Sequence, residues 1–213
     1  MGRTSDAQEK IVEAACALFH QRGYQAVGVQ EICDAAGVKK GSFYHFFRSK
    51  QELALAMLDA MWERVQEEEL GSFRDERLPP LERIRRYLEI APEIFDARRT
   101  PEGALCGCPF GNMALEMSTH DDAIRRRLDQ IYRGWAGHLQ HALDQAVERG
   151  DLPPFDTARA AESVVAFISG LAVLAKTRNS MAGAETLQQT VLGLIHPELA
   201  ARVPQAPVPA QAG

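Results

Sequence analysis

With 213 residues, 46% of them hydrophobic and 25% charged, the chain can bury a sizeable core, as one mid-sized unit or as a small domain joined to a larger one. A net charge of −5 argues against a uniformly polyanion-coating protein. No run approaches the roughly 18 apolar residues of a membrane span, and the start MGRTSDAQEKI lacks the apolar block of a secretory leader, so a cytoplasmic protein without membrane association is expected. The charge is unevenly spread: residues 1–50 carry seven Lys/Arg against five Asp/Glu, or +2, and the remainder carries −7, which suggests different partners for the two parts. Cys16, Cys33, Cys106 and Cys108 do not read as a disulfide framework in an intracellular chain of this length, and reduced thiols are expected.

In chain order the periodicity is helical throughout. Ile11, Ala14, Ala15, Leu18 and Phe19 recur at helical spacing after a Ser5/Asp6 start signal, and Gly23 follows as a stop. A short second helix runs through Val29, Ile32, Cys33 and Ala36 to Gly37, and a third spans 38–47. Two short helices joined by a glycine-containing turn form the helix-turn-helix pattern. Ser49 with Glu52 makes a capping box for a long fourth helix carrying Leu53, Met57, Met61, Val65 and Leu70. Proline, glycine and aspartate punctuation places the remaining helices at about 80–99, 103–118, 121–149, 156–178 and 184–195. The fold class is therefore all-α, with about nine helices. The end, VPQAPVPAQAG, predicts a disordered tail over 197–213.

The third helix divides its side chains by role. At about 100° per residue, Phe43, Phe46 and Phe47 share one arc, while Lys40, Gly41, Tyr44 and His45 occupy the other. The phenylalanines anchor the helix to a small core. The opposite face presents a cation, a bare backbone, a phenol and an imidazole, a set suited to base edges and flanking phosphates in a major groove. Lys50, in the first turn of the fourth helix, opposes the helix dipole and gains nothing locally, a conflict that a nearby phosphate would resolve.

The stretch AVGVQEICDAAGVKKGSFYHFFRSKQEL resembles the DNA-binding region of the TetR family of transcriptional regulators over about residues 8–58. The resemblance implies a three-helix DNA-binding domain at 1–48, a ligand-binding and dimerisation domain at 49–196, and a non-enzymatic repressor released from a double-stranded DNA operator by an inducer. It assigns DNA contacts to Gln30, Lys39, Lys40, Gly41, Ser42, Tyr44, His45 and Lys50. Gly28 stands where the family often has Thr, and lacks the hydroxyl that could cap the second helix and touch a phosphate. The competing reading is a helical interaction protein that does not bind DNA.

In the C-terminal part, AAESVVAFISGLAVLAK (160–176) is apolar nearly all round and must be buried on more than one side. As the resemblance implies, Val164, Phe167, Ile168 and Leu171, with Leu187 and Val191 of the last helix, would form half of a homodimer interface; an ordinary central helix of a monomer is the alternative. Trp62, Tyr87, Phe95, Phe110 and Trp135 are candidates for a ligand pocket or ordinary core.

The segment ALCGCPFGNMALEMS (104–118) holds a C-x-C pair with no second pair to complete a metal site, so no metal and no cofactor are expected. Cys106 and Cys108 are either small buried residues or sensor thiols that open a helix, with Lys176 as a cation able to lower the thiol pKa. The pattern GC-x4-MA-x-E followed by G-x4-AK is similar to TetR regulators that respond to electrophiles and oxidants, with Cys108 at the aligning position. No nucleophile elbow, phosphate-binding loop or zinc-protease motif points to an enzyme.

Overall fold

The computed structural model describes residues 2–182 and 186–200. They form ten α-helices, the last a single turn: α1 (Gly2–Arg22), α2 (Val29–Ala35), α3 (Lys40–Phe46), α4 (Lys50–Arg64), α5 (Pro80–Asp96), α6 (Pro109–Met117), α7 (Asp122–Glu148), α8 (Thr157–Arg178), α9 (Leu187–Ile195) and α10 (Pro197–Ala200). Between α4 and α5 the chain winds first as a π-helix, Val65–Glu69, and then as a 3-10 turn, Gly71–Arg74. The fourth helix thus continues toward Leu70 as expected but loosens its winding at Val65. Outside the helices, one isolated antiparallel bridge joins Arg99 to Leu105.

Local chemistry sets the helix ends. Ser49 Oγ accepts the Glu52 N–H at 3.0 Å and starts α4, while the Glu52 carboxylate takes the Arg48 N–H at 2.8 Å. Gly23 closes α1 at φ +85, a left-handed conformation that costs glycine nothing. Asp156 caps α8 by accepting the Arg159 N–H at 3.0 Å. The expected helix over 103–118 begins only at Pro109, because Gly103 and Gly107 both adopt positive φ and interrupt any helix upstream. The expected tail from 197 opens on helical α10; residues 201–213 lie outside the described residues.

The chain packs as two compact units. Among the described residues, the first comprises 2–68 and 98–132, the second 69–97, 133–182 and 186–200. In the first, Ile11, Phe19, Ile32, Phe43, Leu53 and Leu58 are buried together with α6 and the start of α7. The expected boundary between 48 and 49 falls inside this unit, where α4 packs on α1.

In the second unit, Ile84, Leu88, Leu139, Leu143, Val164, Ile168 and Val191 make the core. The buried Arg83 donates to the Leu78 carbonyl and to Gln145 Oε1, both at 2.9 Å, which ties the entry of α5 to α7. By length and composition alone α8 could cross a membrane; here Ala161, Val164, Val165, Ile168 and Ala172 on one side of it are buried in the unit's own core.

Candidate nucleic-acid interface and the cysteine loop

The turn between α2 and α3 is built by Gly37 at φ +66, with the Val38 N–H donating to the Cys33 carbonyl at 2.9 Å. Phe43 and Phe47, both buried, fix α3 from below with ring centroids 5.8 Å apart; Phe46 is half-buried. On the outer face Lys39, Lys40, Gly41, Tyr44 and His45 are exposed and Ser42 is half-buried. The Tyr44 ring stands on edge against Phe43 at 5.2 Å, so a side chain 53% exposed is nevertheless steadied by the core. A Cβ added at Gly41 would meet nothing within 4 Å. The chain's own packing therefore does not demand glycine there, although glycine costs a helix about 1 kcal/mol relative to alanine.

The start of α2 is held without the missing hydroxyl at Gly28. Glu31 accepts the Gly28 N–H at 3.4 Å and pairs with Arg22, whose guanidinium holds the Glu31 carboxyl below the usual range. Gln30 is exposed and donates to Asp34 at 2.8 Å one turn on.

Lys50 departs from the expectation that its charge gains nothing locally. Its ammonium donates to the carbonyls of Tyr24 at 2.8 Å and Val27 at 3.0 Å, and lies 4.1 Å from the centre of the Tyr24 ring. Partial burial holds its pKa below the usual lysine range, with the Glu116 carboxylate opposing that shift. The lysine ties the α1–α2 loop to the start of α4, a loop-to-helix contact that helical periodicity cannot reveal.

The same loop is gripped from α6. The Glu116 carboxylate accepts the N–H groups of Tyr24 at 2.8 Å and Gln25 at 2.7 Å. A Cβ at Gly23 would come within 3.0 Å of that carboxylate, so this glycine serves both the turn and the clamp. Sequence reasoning missed Glu116, whose one visible signal is its place in the pattern GC-x4-MA-x-E.

Preceding α6, residues 98–108 form a tight loop. Thr100 N–H donates to Ala104 O at 2.8 Å, Cys106 N–H to Arg98 O at 3.0 Å, and Arg99 to Gly103 O at 2.7 Å. Cys106 lies in this loop, and of the two cysteines Cys108 alone stands at the helix start, as the residue before Pro109. Neither is disulfide-bonded, and both are buried. Asn112 Nδ2 donates to the Cys106 carbonyl at 2.7 Å, and His20 Nε2 of α1 reaches the Gly107 carbonyl at 3.0 Å. An ideal Cβ at Gly111 meets Cys108 Cβ at 3.5 Å and Tyr132 Oη at 3.6 Å, so Cys108 and the phenol both border this glycine. Lys176 is exposed on α8, in the second unit.

The aromatic candidates separate into two groups. Trp62 and Phe110 pair edge-on at 6.4 Å in the first unit; Tyr87 meets Trp135 at 6.5 Å and Phe73 at 5.3 Å in the second, where Phe95 is also buried. The residues expected at a dimer seam divide by burial. Val164, Ile168, Leu187 and Val191 are buried within the chain itself and Phe167 and Leu171 are half-buried, whereas Val173, Leu174 and Leu194 are 45–48% exposed. An all-apolar helix does not reveal from its sequence which stripe its own chain will cover.

A family model described as bacterial regulatory proteins of the tetR family matches residues 11–57, and one described as a tetracyclin repressor-like C-terminal domain matches residues 80–191. The HTH-type transcriptional repressor DhaR of Mycobacterium sp. strain GP1 is 30% identical over 152 residues, 71% of this chain and 72% of the relative. The HTH-type transcriptional repressor NemR of Escherichia coli K12 is 30% identical over 67% of this chain and 70% of its own length. Among solved structures, a regulatory protein from Rhodobacter sphaeroides superposes with a TM-score of 0.77 at 30% identity, covering 87% of this chain and 96% of that one. The reduced form of E. coli NemR gives 0.78 at 26%, covering 87% and 95%.

Proposed function

The chain belongs to the TetR family of bacterial DNA-binding transcriptional regulators, and from that premise we propose that it is a homodimeric repressor of a near-palindromic operator, released by an inducer. The observation that carries this reading is the outer face of α3, where Tyr44 and His45 project beside Lys39 and Lys40 on a helix anchored by Phe43 and Phe47. In this reading Tyr44 and His45 meet base edges, Lys39 and Lys40 meet phosphates, Gly41 admits the duplex backbone, and Gln30 and Ser42 add polar contacts. Lys50 acts chiefly through the loop it holds, with one ammonium proton left for a phosphate. The open apolar stripe of Val173, Leu174 and Leu194, bordered by Phe167 and Leu171, forms the two-fold seam, and a two-fold protein reads two half-sites. A gel shift with the DNA upstream of the chain's own gene tests the proposal. Lys40→Ala should weaken all sequences alike and lower the salt slope by about one unit, while Tyr44→Ala should lose specific more than non-specific affinity. No effect from either change refutes the assignment, and no shift at all favours a helical interaction protein.

For the inducer we propose a reactive electrophile or oxidant at Cys108, with Cys106 beside it in sequence. Support comes from the loop's attachments: His20 of α1 holds the Gly107 carbonyl, and α6, which Cys108 precedes, carries Glu116 against the α1–α2 loop. Lys176 enters as a thiol neighbour through the family resemblance alone. N-ethylmaleimide should release DNA from the wild type and not from Cys108→Ser. If Cys108→Ser and Cys106→Ser both respond like the wild type, a non-covalent ligand against Trp62 and Phe110, or against Tyr87, Phe95 and Trp135, becomes the better account.

A further inference from the structure

Within the first unit, three helices each bring a pair of donor side chains to one void. Cys16 and His20 of α1, Met57 and Met61 of α4, and Met113 and Glu116 of α6 line a cavity of about 10 Å3, room for about one water molecule. Spacings of four, four and three residues put each pair on a single helix face. Half of the chain's six methionines and one of its four cysteines thus converge on one small space.

The lining selects its occupant. A buried water needs two to four polar partners, yet Glu116 is engaged by two backbone N–H groups and His20 reaches the Gly107 carbonyl. Four sulfurs remain as the principal donors. Thioethers and thiolate favour soft ions such as Cu(I) over Mg2+, Ca2+ or Mn2+. Cys16, His20 and Glu116 also line the void, but His20 and Glu116 already bond to backbone groups, and among the described residues no three His, Cys, Asp or Glu are grouped to hold a metal.

We infer that this void is a binding site for one soft monovalent metal ion, Cu(I) by its chemistry, held by the Cys16 thiolate and the thioethers of Met57, Met61 and Met113. Binding replaces the Cys16 S–H bond with an S–Cu bond and releases the proton to solvent, with no change of oxidation state. The bound ion would staple α1, α4 and α6 together beneath the helix pair that carries α3.

The test uses the full, reduced chain carrying Cys106→Ser and Cys108→Ser, titrated anaerobically with Cu(I) against a competing chelator and separately with Ag(I) as a redox-inert probe. About one equivalent should bind, with the methyl resonances of Met57, Met61 and Met113 shifting and that of Met117 unmoved. Met61→Leu with Met113→Leu, which nearly conserves volume, should weaken binding about 100-fold, on the scale of lost metal-site partners. Cys16→Ser should weaken it further, and Cys33→Ser not at all. Wild-type affinity in the double methionine variant, or unshifted methionine methyls in the metal-bound parent, overturns the inference. Uptake is read without DNA, so a failure of operator binding leaves this test intact.

Discussion

Replacing Lys50 by methionine keeps the stem and removes the ammonium, which separates the two roles open to this residue. The ammonium donates to two carbonyls, at 2.8 and 3.0 Å, and lies 4.1 Å from the Tyr24 ring centre. Hydrogen bonds to a charged group contribute about 1.5–3 kcal/mol each, and a cation over a ring about 0.5–1. Lys50 is only half-buried, so water recovers much of that when the charge is removed, and about 2 kcal/mol is the expected net loss. For a chain of this length that lowers the melting temperature by about 4–8 °C. Thermal unfolding of the free protein, followed by circular dichroism, measures it, with Lys40→Met as the exposed control that leaves stability within about 0.5 kcal/mol. Should Lys50→Met unfold like the wild type while the salt slope of operator binding falls by about one unit, Lys50 is a phosphate ligand and the loop-locking reasoning is wrong.

Gly41→Ala should stabilise the free protein by up to about 1 kcal/mol and weaken operator binding; unchanged affinity in a titration would remove the close approach of DNA to this backbone. Leu174→Glu, on the open stripe, should give a folded monomer in sedimentation, whereas Ile168→Glu, fully buried, should unfold the second unit; a Leu174→Glu dimer argues against the seam. Glu116→Gln should cost about 1–2 kcal/mol, because an amide offers one acceptor oxygen to two N–H groups, and a chemical-denaturation midpoint equal to that of wild type would contradict the clamp. The Cys16 thiol, raised by burial from 9.0 to about 11, keeps its proton in the folded chain after the unfolded chain has lost it. Stability should therefore decline as pH rises from about 9 to about 11, and Cys16→Ser should remove that part of the decline in urea titrations.

Helices were readable in this sequence wherever one side chain per turn had to be buried. The Phe43/Phe47 anchor, the Gly37 turn and the Ser49 cap are local, and local rules found them. What escaped is non-local. Within its own helix the Lys50 charge is unfavourable, yet its acceptors lie at residues 24 and 27, and nothing in an i, i+4 pattern connects them. Glycine punctuation at Gly103 puts Cys106 and Cys108 together at a helix start. Two positive-φ glycines, Gly103 and Gly107, instead set Cys106 in a loop and leave Cys108 alone beside Pro109. In α8, apolar on every side, periodicity carries no phase, so the residues assigned to a partner, Val164 and Ile168, proved to be covered by the chain itself.

These non-local contacts form one connected set. Glu116 of α6 holds the N–H of Tyr24, and Lys50 of α4 holds the carbonyl of the same residue, so Tyr24 is gripped from α6 on one side of its backbone and from α4 on the other. His20 fastens the preceding turn of α1 to the Gly107 carbonyl, next to both cysteines. An event that moves α6 along its axis would strain both Glu116 bonds, which end on the backbone N–H groups of Tyr24 and Gln25. The displacement then passes to residues 24–27 and on to the start of α2, the helix that presents α3. A carboxylate on two amides and an ammonium on two carbonyls thus join α6 and α4 to the one loop that leads into α2.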